Sequence, residues 1–235
     1  MRPLPAPSIP VAALAIALYG AGGAGVAACS SAAKGDAEFP DPDITPAPAN
    51  PDGVPYPTDN IGWTARKGTI RGDRIANMAF QGYADSNRAA GLKTVSLADY
   101  FDPSAARYKA IHIQISATWC SICASETRAT VAAREMLVAE GAVLLQVIAQ
   151  GAVSPNGPSL ADFTGWMDKH QTNFTVLLDA RAKRTAPLGV AGFPFNVLID
   201  PRTMEILTAN LGAPTDVPKY VRLALTFVGQ AKPSY

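Results

Sequence analysis

Two strands and an intervening helix are predicted by the order of apolar and polar positions in the middle of the chain. Residues 110–116 alternate apolar with polar side chains and are rich in β-branched types, which is typical of a strand. Residues 143–149 form a nearly continuous apolar run, as expected for a strand covered on both faces. Between them, 121–140 contains good helix formers, and Gly141 follows as a helix terminator.

Further elements of the same kinds flank this unit. A second helix is predicted from Ser159, which with Asp162 three residues later approximates a capping box. The other predicted elements are strands over 78–82, 174–178, 195–199 and 206–211, the start of an element at 95–99, and a closing helix over 217–227. Strands that alternate with helices, followed by a hairpin and a helix, predict an α/β sheet covered on both sides.

The first 28 residues have the parts of an export signal. Arg2 precedes an apolar run over 11–28 that ends in small residues. The alternative is a transmembrane helix, which is disfavoured because the run is short for a span and contains four glycines that weaken helicity. We therefore predict a signal peptide over 1–28.

The segment Val26-Ala27-Ala28-Cys29 resembles the bacterial lipobox. The resemblance implies cleavage just before Cys29, which then carries a lipid, whereas an ordinary signal peptide would leave Cys29 as a free thiol. Ser30, rather than Asp, follows the cysteine and favours the outer membrane over the inner one. The expected location is the cell envelope, on the periplasmic side, with the lipid as membrane anchor.

The next segment, 29–68, is predicted to be a proline-rich linker ahead of a globular domain over 69–235. Its low aliphatic content cannot offset the entropic cost of ordering it, and dense proline favours an extended, semi-rigid spacer. The alternative is that its far end packs on the domain as an arm, through Tyr56 and Trp63.

Composition limits the class of partner. The chain of 235 residues is 48% hydrophobic and 17% charged, which supplies enough apolar material for a core. Its formal net charge of +1 gives no reason to expect a concentrated basic face, so no nucleic-acid partner is predicted.

Apart from Cys29, the cysteines form one CxxC pair, Cys120-Ser-Ile-Cys123, between a predicted strand and a predicted helix. Unpaired amides and the helix dipole at a helix N-terminus stabilise a thiolate, which makes Cys120 a candidate nucleophile. Cys123, one turn later, is close enough to attack a mixed disulfide. Zinc binding is disfavoured because only two histidines remain as ligands, and a structural disulfide this short would constrain the unfolded chain little.

The segment 117–126, Ala-Thr-Trp-Cys-Ser-Ile-Cys-Ala-Ser-Glu, resembles the active-site segment of the thioredoxin superfamily. Glu126 matches its TlpA/ResA-like extracytoplasmic branch, and Gly192-Phe193-Pro194 is similar to the cis-proline loop of that family. The resemblance covers about 70–228. It implies a thioredoxin-like three-layer sandwich, in which helices cover both faces of a central mixed β-sheet.

The resemblance also implies roles for individual residues. Cys120 would be the nucleophile and Cys123 the resolving cysteine, with neither cofactor nor metal. Trp119, Phe193 and Pro194 would contact the substrate, and Glu126 is a candidate for the proton relay. The sequence departs from the family pattern at three positions: Gln114 stands where classical thioredoxin has an acid, Ile122 replaces a proline, and Phe195 replaces a threonine.

These residues predict an enzyme that exchanges disulfides in exported proteins and depends on a membrane or periplasmic electron donor. A thiol peroxidase of the peroxiredoxin type is an alternative, although Ala117 stands where those proteins usually have Thr. A Sco-like copper-binding assembly factor is a third possibility. It is disfavoured because that pattern has three residues between the cysteines and a histidine far downstream, whereas no histidine follows His170.

Overall fold

A computed structural model describes residues 37–58 and 71–228, all of which belong to one compact unit, Gly35–Tyr235. Within the described residues, seven strands form one sheet. They are β1 Ala79–Tyr83, β2 Lys93–Ser96, β3 Ala110–Ala117, β4 Ala142–Gln150, β5 Thr175–Leu178, β6 Phe195–Asp200 and β7 Glu205–Leu211. Their spatial order is β2-β1-β5-β4-β3-β6-β7.

The centre of the sheet is parallel and its outer strands are antiparallel. β3 pairs in parallel with β4, and β4 with β5, whereas β6 lies antiparallel to β3 and to β7. β1 is antiparallel to both β2 and β5. Every residue of β3 is buried, as expected for a central strand with neighbours on both sides. The predicted mixed sheet is confirmed.

The three predicted helices are also confirmed, as α1 Ser121–Ala139, α2 Leu160–His170 and α3 Val217–Val228. The Ser159 side chain accepts a hydrogen bond from the Asp162 amide, and the Asp162 carboxylate accepts one from the Ser159 amide, both at 3.0 Å. After α1, Gly141 adopts a φ of +98°, which a residue with a side chain rarely does, and this lets the chain turn directly into β4.

Different structures cover the two faces of the sheet. All three α-helices pack on one face, through apolar side chains such as Leu137, Phe163 and Val221. The other face is covered by short 3-10 helices at Leu97–Tyr100, Ala180–Ala182 and Ala186–Leu188, together with Ala47 and Tyr56 from the segment before β1. The result is a three-layer sandwich whose second covering layer is built largely from short turns.

Residues 37–58, here called the arm, pack against the domain. The Tyr56 ring is buried in the core of the face opposite the α-helices, and its hydroxyl donates to the Ile75 carbonyl at 2.8 Å. Asn50 is also buried, and its side-chain amide donates to the Phe101 carbonyl at 2.9 Å. Over 37–58 the chain thus differs from the expected spacer and agrees, at Tyr56, with the alternative of an arm that packs on the domain.

Several sequence predictions fall outside the described residues. They are the signal peptide, the lipidated Cys29 and Trp63. Among residues 37–58 and 71–228, no helix is both long enough and apolar enough to cross a membrane.

The arm makes a testable contribution to stability. We expect Tyr56→Ala to lower the free energy of unfolding by about 3 kcal/mol, because it removes a buried ring and a buried hydrogen bond. Val54→Ala is the matched control on the same arm, since Val54 is 38% exposed and should change stability by less than about 0.5 kcal/mol. Chemical denaturation of the full chain measures both variants. Equal, small effects would show that the arm contributes nothing to the folded unit.

Candidate active site

The CxxC pair lies where β3 ends and α1 begins. Cys120 is the N-cap residue of α1, with extended backbone angles that turn the chain from the strand into the helix. Cys120 and Cys123 form a disulfide, and their Cα atoms are 5.2 Å apart. The predicted partners are thus joined one helical turn apart.

The two sulfur-bearing residues differ in access and surroundings. Cys120 is 5% exposed, whereas Cys123 is completely buried. The Cys123 amide also donates a hydrogen bond to Cys120 Sγ at 3.1 Å. An incoming thiol or disulfide can therefore reach Cys120 first, and a thiolate formed there is stabilised by this amide and by the helix dipole.

A second loop meets the CxxC pair from β6. Because β6 runs antiparallel to β3 and Phe195 pairs with Ile115, the start of β6 lies beside the end of β3. The peptide bond between Phe193 and Pro194 is cis. The Phe193 ring contacts the Trp119 ring edge-on, with centroids 6.2 Å apart. The fold thus brings the predicted substrate-contacting loop to the residue that precedes Cys120.

An exposed apolar surface borders Cys120. Trp119 is 50% exposed and Ile122, inside the CxxC segment, is 57% exposed. The Trp119 indole is held by a hydrogen bond from its Nε1 to Gln150 Oε1 at 3.1 Å. Apolar side chains exposed at a reactive sulfur can bind the side chains that flank a substrate cysteine.

Glu126 lies one turn beyond Cys123, and its side chain is buried. The residue is 3% exposed, and burial raises the pKa of the carboxyl to about 7. Asn196 Nδ2 donates to Glu126 Oε2 at 3.3 Å, which opposes that rise. Oε1 is buried and has no hydrogen-bond partner among the described residues. This carboxyl can therefore gain or lose a proton near neutral pH.

An uncharged polar network supports the pair from the interior. Thr127 donates to the Cys123 carbonyl at 2.8 Å, and Gln114 donates to the same carbonyl at 3.4 Å. Gln146 bridges the network, since it donates to Thr127 at 2.7 Å and accepts from the Trp166 indole at 3.1 Å. These contacts fix the first turn of α1 without placing a charge behind the disulfide.

Sequence reasoning did not identify Gln146 or Asn196 as part of the site. Each is a polar residue inside an apolar strand, and both are buried. A buried side-chain amide is normally hydrogen-bonded, so a polar residue that interrupts an apolar strand indicates a buried hydrogen-bond network. That was the signal available in the sequence. His112 is buried and is hydrogen-bonded to Asn196.

The described residues contain no group of three or more histidine, cysteine, aspartate or glutamate side chains placed to hold a metal ion. His112 lies in β3 under α3, and its ring contacts Tyr220. His170 packs on Trp166 in α2, with ring centroids 4.2 Å apart. Neither histidine adds a ligand that the zinc alternative would need.

Solved structures share this architecture at low sequence identity. A Chlorobium tepidum protein assigned as the thiol:disulfide interchange protein DsbE has a TM-score of 0.54 and 19% identity, covering 68% of this chain and 99% of that one. A 2-Cys peroxiredoxin from Plasmodium vivax has a TM-score of 0.52 and 16% identity, covering 66% and 80%. AhpC from Enterococcus faecalis has a TM-score of 0.51 and 13% identity, covering 67% and 92%.

No protein-family model matches the chain, and no curated protein matches its sequence. The structural likeness covers about two thirds of the chain, and it confirms the α/β class with a central mixed sheet. The chain has the thioredoxin fold.

Proposed function

We propose that the protein is an extracytoplasmic thiol–disulfide oxidoreductase that exchanges disulfides in exported proteins. The observation that carries the proposal is the Cys120–Cys123 disulfide at the N-terminus of α1, in which Cys120 is the more accessible residue. A structural disulfide has no need for this asymmetry, whereas an exchange reaction requires one sulfur that the substrate can reach and a second that stays shielded.

The reaction proceeds through one mixed disulfide. In the reducing direction, the Cys120 thiolate attacks a substrate disulfide, forms a bond to one substrate sulfur and releases the other as a thiolate. The Cys123 thiolate then attacks Cys120 Sγ, and the second substrate thiolate leaves. Two electrons pass to the substrate, and both enzyme thiols end as the disulfide. The oxidising direction is the reverse, starting from a substrate dithiol.

Glu126 is the proposed proton acceptor for Cys123. The second step requires the shielded thiol to lose its proton in a site that water reaches poorly. Glu126 lies one turn further along α1, and its pKa of about 7 suits proton exchange at physiological pH. Its ionised form takes the proton as Cys123 attacks.

The substrate would lie across the two loops that meet at Cys120. Trp119 and Phe193 offer apolar contacts, and the resemblance to the cis-proline loop implies that the Phe193 backbone would pair with an extended substrate chain. Thiol-bearing or disulfide-bearing exported proteins are the proposed partners, with a membrane or periplasmic electron donor. The lipobox-like segment ending at Cys29 supports anchoring to the envelope, with the outer membrane favoured.

The exchange chemistry can be tested on the cysteines. We expect the full chain to show a reversible two-electron couple in glutathione buffers, followed by mass spectrometry. Cys120→Ser should abolish exchange, and Cys123→Ser should accumulate a mixed disulfide on Cys120, because the resolving thiol is missing. Cys29→Ser is the matched control and should retain the couple.

Two results would contradict this function. One is the lack of any reversible couple in the wild-type chain. The other is turnover of hydrogen peroxide that is faster than turnover of protein disulfides, which would favour the peroxidase alternative.

Membrane anchoring has its own test. Expressed in a bacterial host fed with labelled fatty acid, the wild-type chain should incorporate label and fractionate with membranes. Cys29→Ser should lose both properties, because the acyl chains that partition into the bilayer are gone. Unchanged labelling in this variant would contradict lipidation at Cys29.

The proposed base makes the reaction pH-dependent. The rate of the resolving step should rise as pH increases through about 7, where the Glu126 carboxyl loses its proton. Glu126→Gln should slow that step about a hundredfold and remove the inflection. Stopped-flow measurement of release from a preformed mixed disulfide reports the step directly, and an unchanged profile in the variant would exclude Glu126 as the base.

Glu126 should also lower the free energy of unfolding at alkaline pH. The pKa of Glu126 is raised from 4.5 to about 7 on folding. The contribution of the protonated carboxyl to the free energy of unfolding is therefore fully present below pH 4.5 and is lost as the pH rises through 7. Glu126→Gln should therefore stabilise the fold at pH 8, by up to about 3 kcal/mol, and not at pH 4. Urea denaturation at the two pH values measures this, and an equal effect at both would argue against a buried, titrating carboxyl.

A further inference from the structure

A buried chain of hydrogen bonds runs from β3 through β6 to α1. His112 Nε2 and Asn196 Oδ1 are 2.7 Å apart, and Asn196 Nδ2 lies 3.3 Å from Glu126 Oε2 and 3.0 Å from the Gly212 carbonyl oxygen. His112, Asn196 and Glu126 are each at least 97% buried. The chain thus ends on the carboxyl that lies one turn beyond the CxxC pair.

The chemistry of the partners sets the direction of every bond. The Gly212 carbonyl can only accept, so the Asn196 Nδ2 group must face it and, with it, Glu126. Asn196 Oδ1 then faces His112 and requires a proton on Nε2 of that ring. The histidine N–H therefore holds the amide in the one orientation that points a donor at Glu126.

Other titratable groups that face this carboxyl are neutral near pH 7. Tyr220, from α3, interacts with Glu126 and has its pKa raised to about 12, mainly by burial. Burial lowers the pKa of His112, on β3, to about 4. On α1 itself, Cys123 is one turn away and is held in the disulfide. The Asn196 amide is thus the donor that the structure provides to the ionised carboxylate.

We propose that Asn196 and His112 are positioning residues for the proton-accepting carboxyl. Asn196 stabilises the ionised form of Glu126 by a direct hydrogen bond, and His112 acts through Asn196 by fixing its amide. The inference rests on the proposed exchange function, because it assigns these residues to the resolving step. They contact neither the substrate nor the cysteine sulfurs in this role.

The Asn196 hydrogen bond would therefore set the pH above which Glu126 can take the proton from Cys123. A hydrogen bond to a charged group is stronger than one to a neutral group, so the Asn196 donor favours the carboxylate over the carboxylic acid. Without this donor, Glu126 would keep its proton to higher pH, and less of it could act as a base at neutral pH.

The direct test is a titration of Glu126 in the oxidised full chain. The chain has five glutamates, so selective carboxyl ¹³C labelling gives few resonances, and Glu126→Gln assigns the relevant one. We expect Asn196→Leu to raise the pKa of Glu126 by about one unit. Asn196→Asp keeps an acceptor for His112 but replaces the donor by a like charge, so it should raise the pKa at least as far and provides a second variant if the first folds poorly.

The control is the same substitution at an exposed position. Asn156 lies in the loop between β4 and α2, so Asn156→Leu should leave the Glu126 titration unchanged. His112→Phe should reproduce part of the shift, whereas His112→Gln, which can still donate to Asn196, should restore the wild-type value. A wild-type titration in both Asn196→Leu and Asn196→Asp would overturn the proposal.

Kinetics separate this proposal from the proposed function. In Asn196→Leu the pH profile of the resolving step should move to higher pH by the same amount, with about a tenfold slower step at pH 6. A general packing defect would lower the rate at all pH values without moving the inflection, and that result would also overturn the proposal. If the wild-type chain has no reversible couple, the exchange function fails, while the carboxyl titration still decides whether Asn196 and His112 position Glu126.

Discussion

The position of β3 is the constraint on which the site depends. β3 is buried along its whole length and is paired with β4 on one side and with β6 on the other. Neither its register nor the sheet face to which each of its side chains points can therefore change without disrupting the core. The last residue of β3 therefore fixes where α1 begins, and the antiparallel pairing of β3 with β6 fixes where β6 begins. Trp119 and Phe193 are far apart in sequence, but their rings are in contact because Trp119 follows the end of β3 and Phe193 precedes the start of its partner β6.

A buried carboxyl beside a largely apolar disulfide has opposing effects on stability and chemistry. Ionising Glu126 inside the fold is unfavourable because burial removes water from the charge, and the single amide donor of Asn196 offsets only part of that cost. A carboxyl in water would be fully ionised at neutral pH and a poor acceptor for a thiol proton. The same burial that reduces stability therefore brings the pKa into the range in which the group can act.

The pattern of apolar and polar residues was sufficient to predict the strands and helices of the fold, but it was not sufficient to predict the contacts of the arm. The apolar runs of β3 and β4 and the helix formers of α1 are local signals, and each element begins and ends within a residue or two of its predicted bounds. The arm depends on side chains such as Tyr56 and Asn50, whose partners are far away in sequence. The aromatic Tyr56 indicated that this end could pack on the domain, but average composition does not record such contacts. The CxxC pair and the proline loop were predictable from motifs. Gln146 and Asn196 could be noticed as polar residues inside apolar strands, but their partners could not be predicted, because sheet register sets them.

The register also places the proposed substrate-binding loop and the donor to the proposed proton acceptor on one strand. Asn196 lies two residues after Pro194 on β6, so the strand that presents the substrate-facing loop also carries the donor for Glu126. Behind the pair, Gln114 and Gln146 form hydrogen bonds without a group that ionises near neutral pH. In the proposed mechanism, a carboxyl on the helix therefore accepts the proton, whereas classical thioredoxin has an acid on the central strand. In the proposed mechanism, one strand therefore holds both the substrate-facing loop and the amide that positions the proton acceptor.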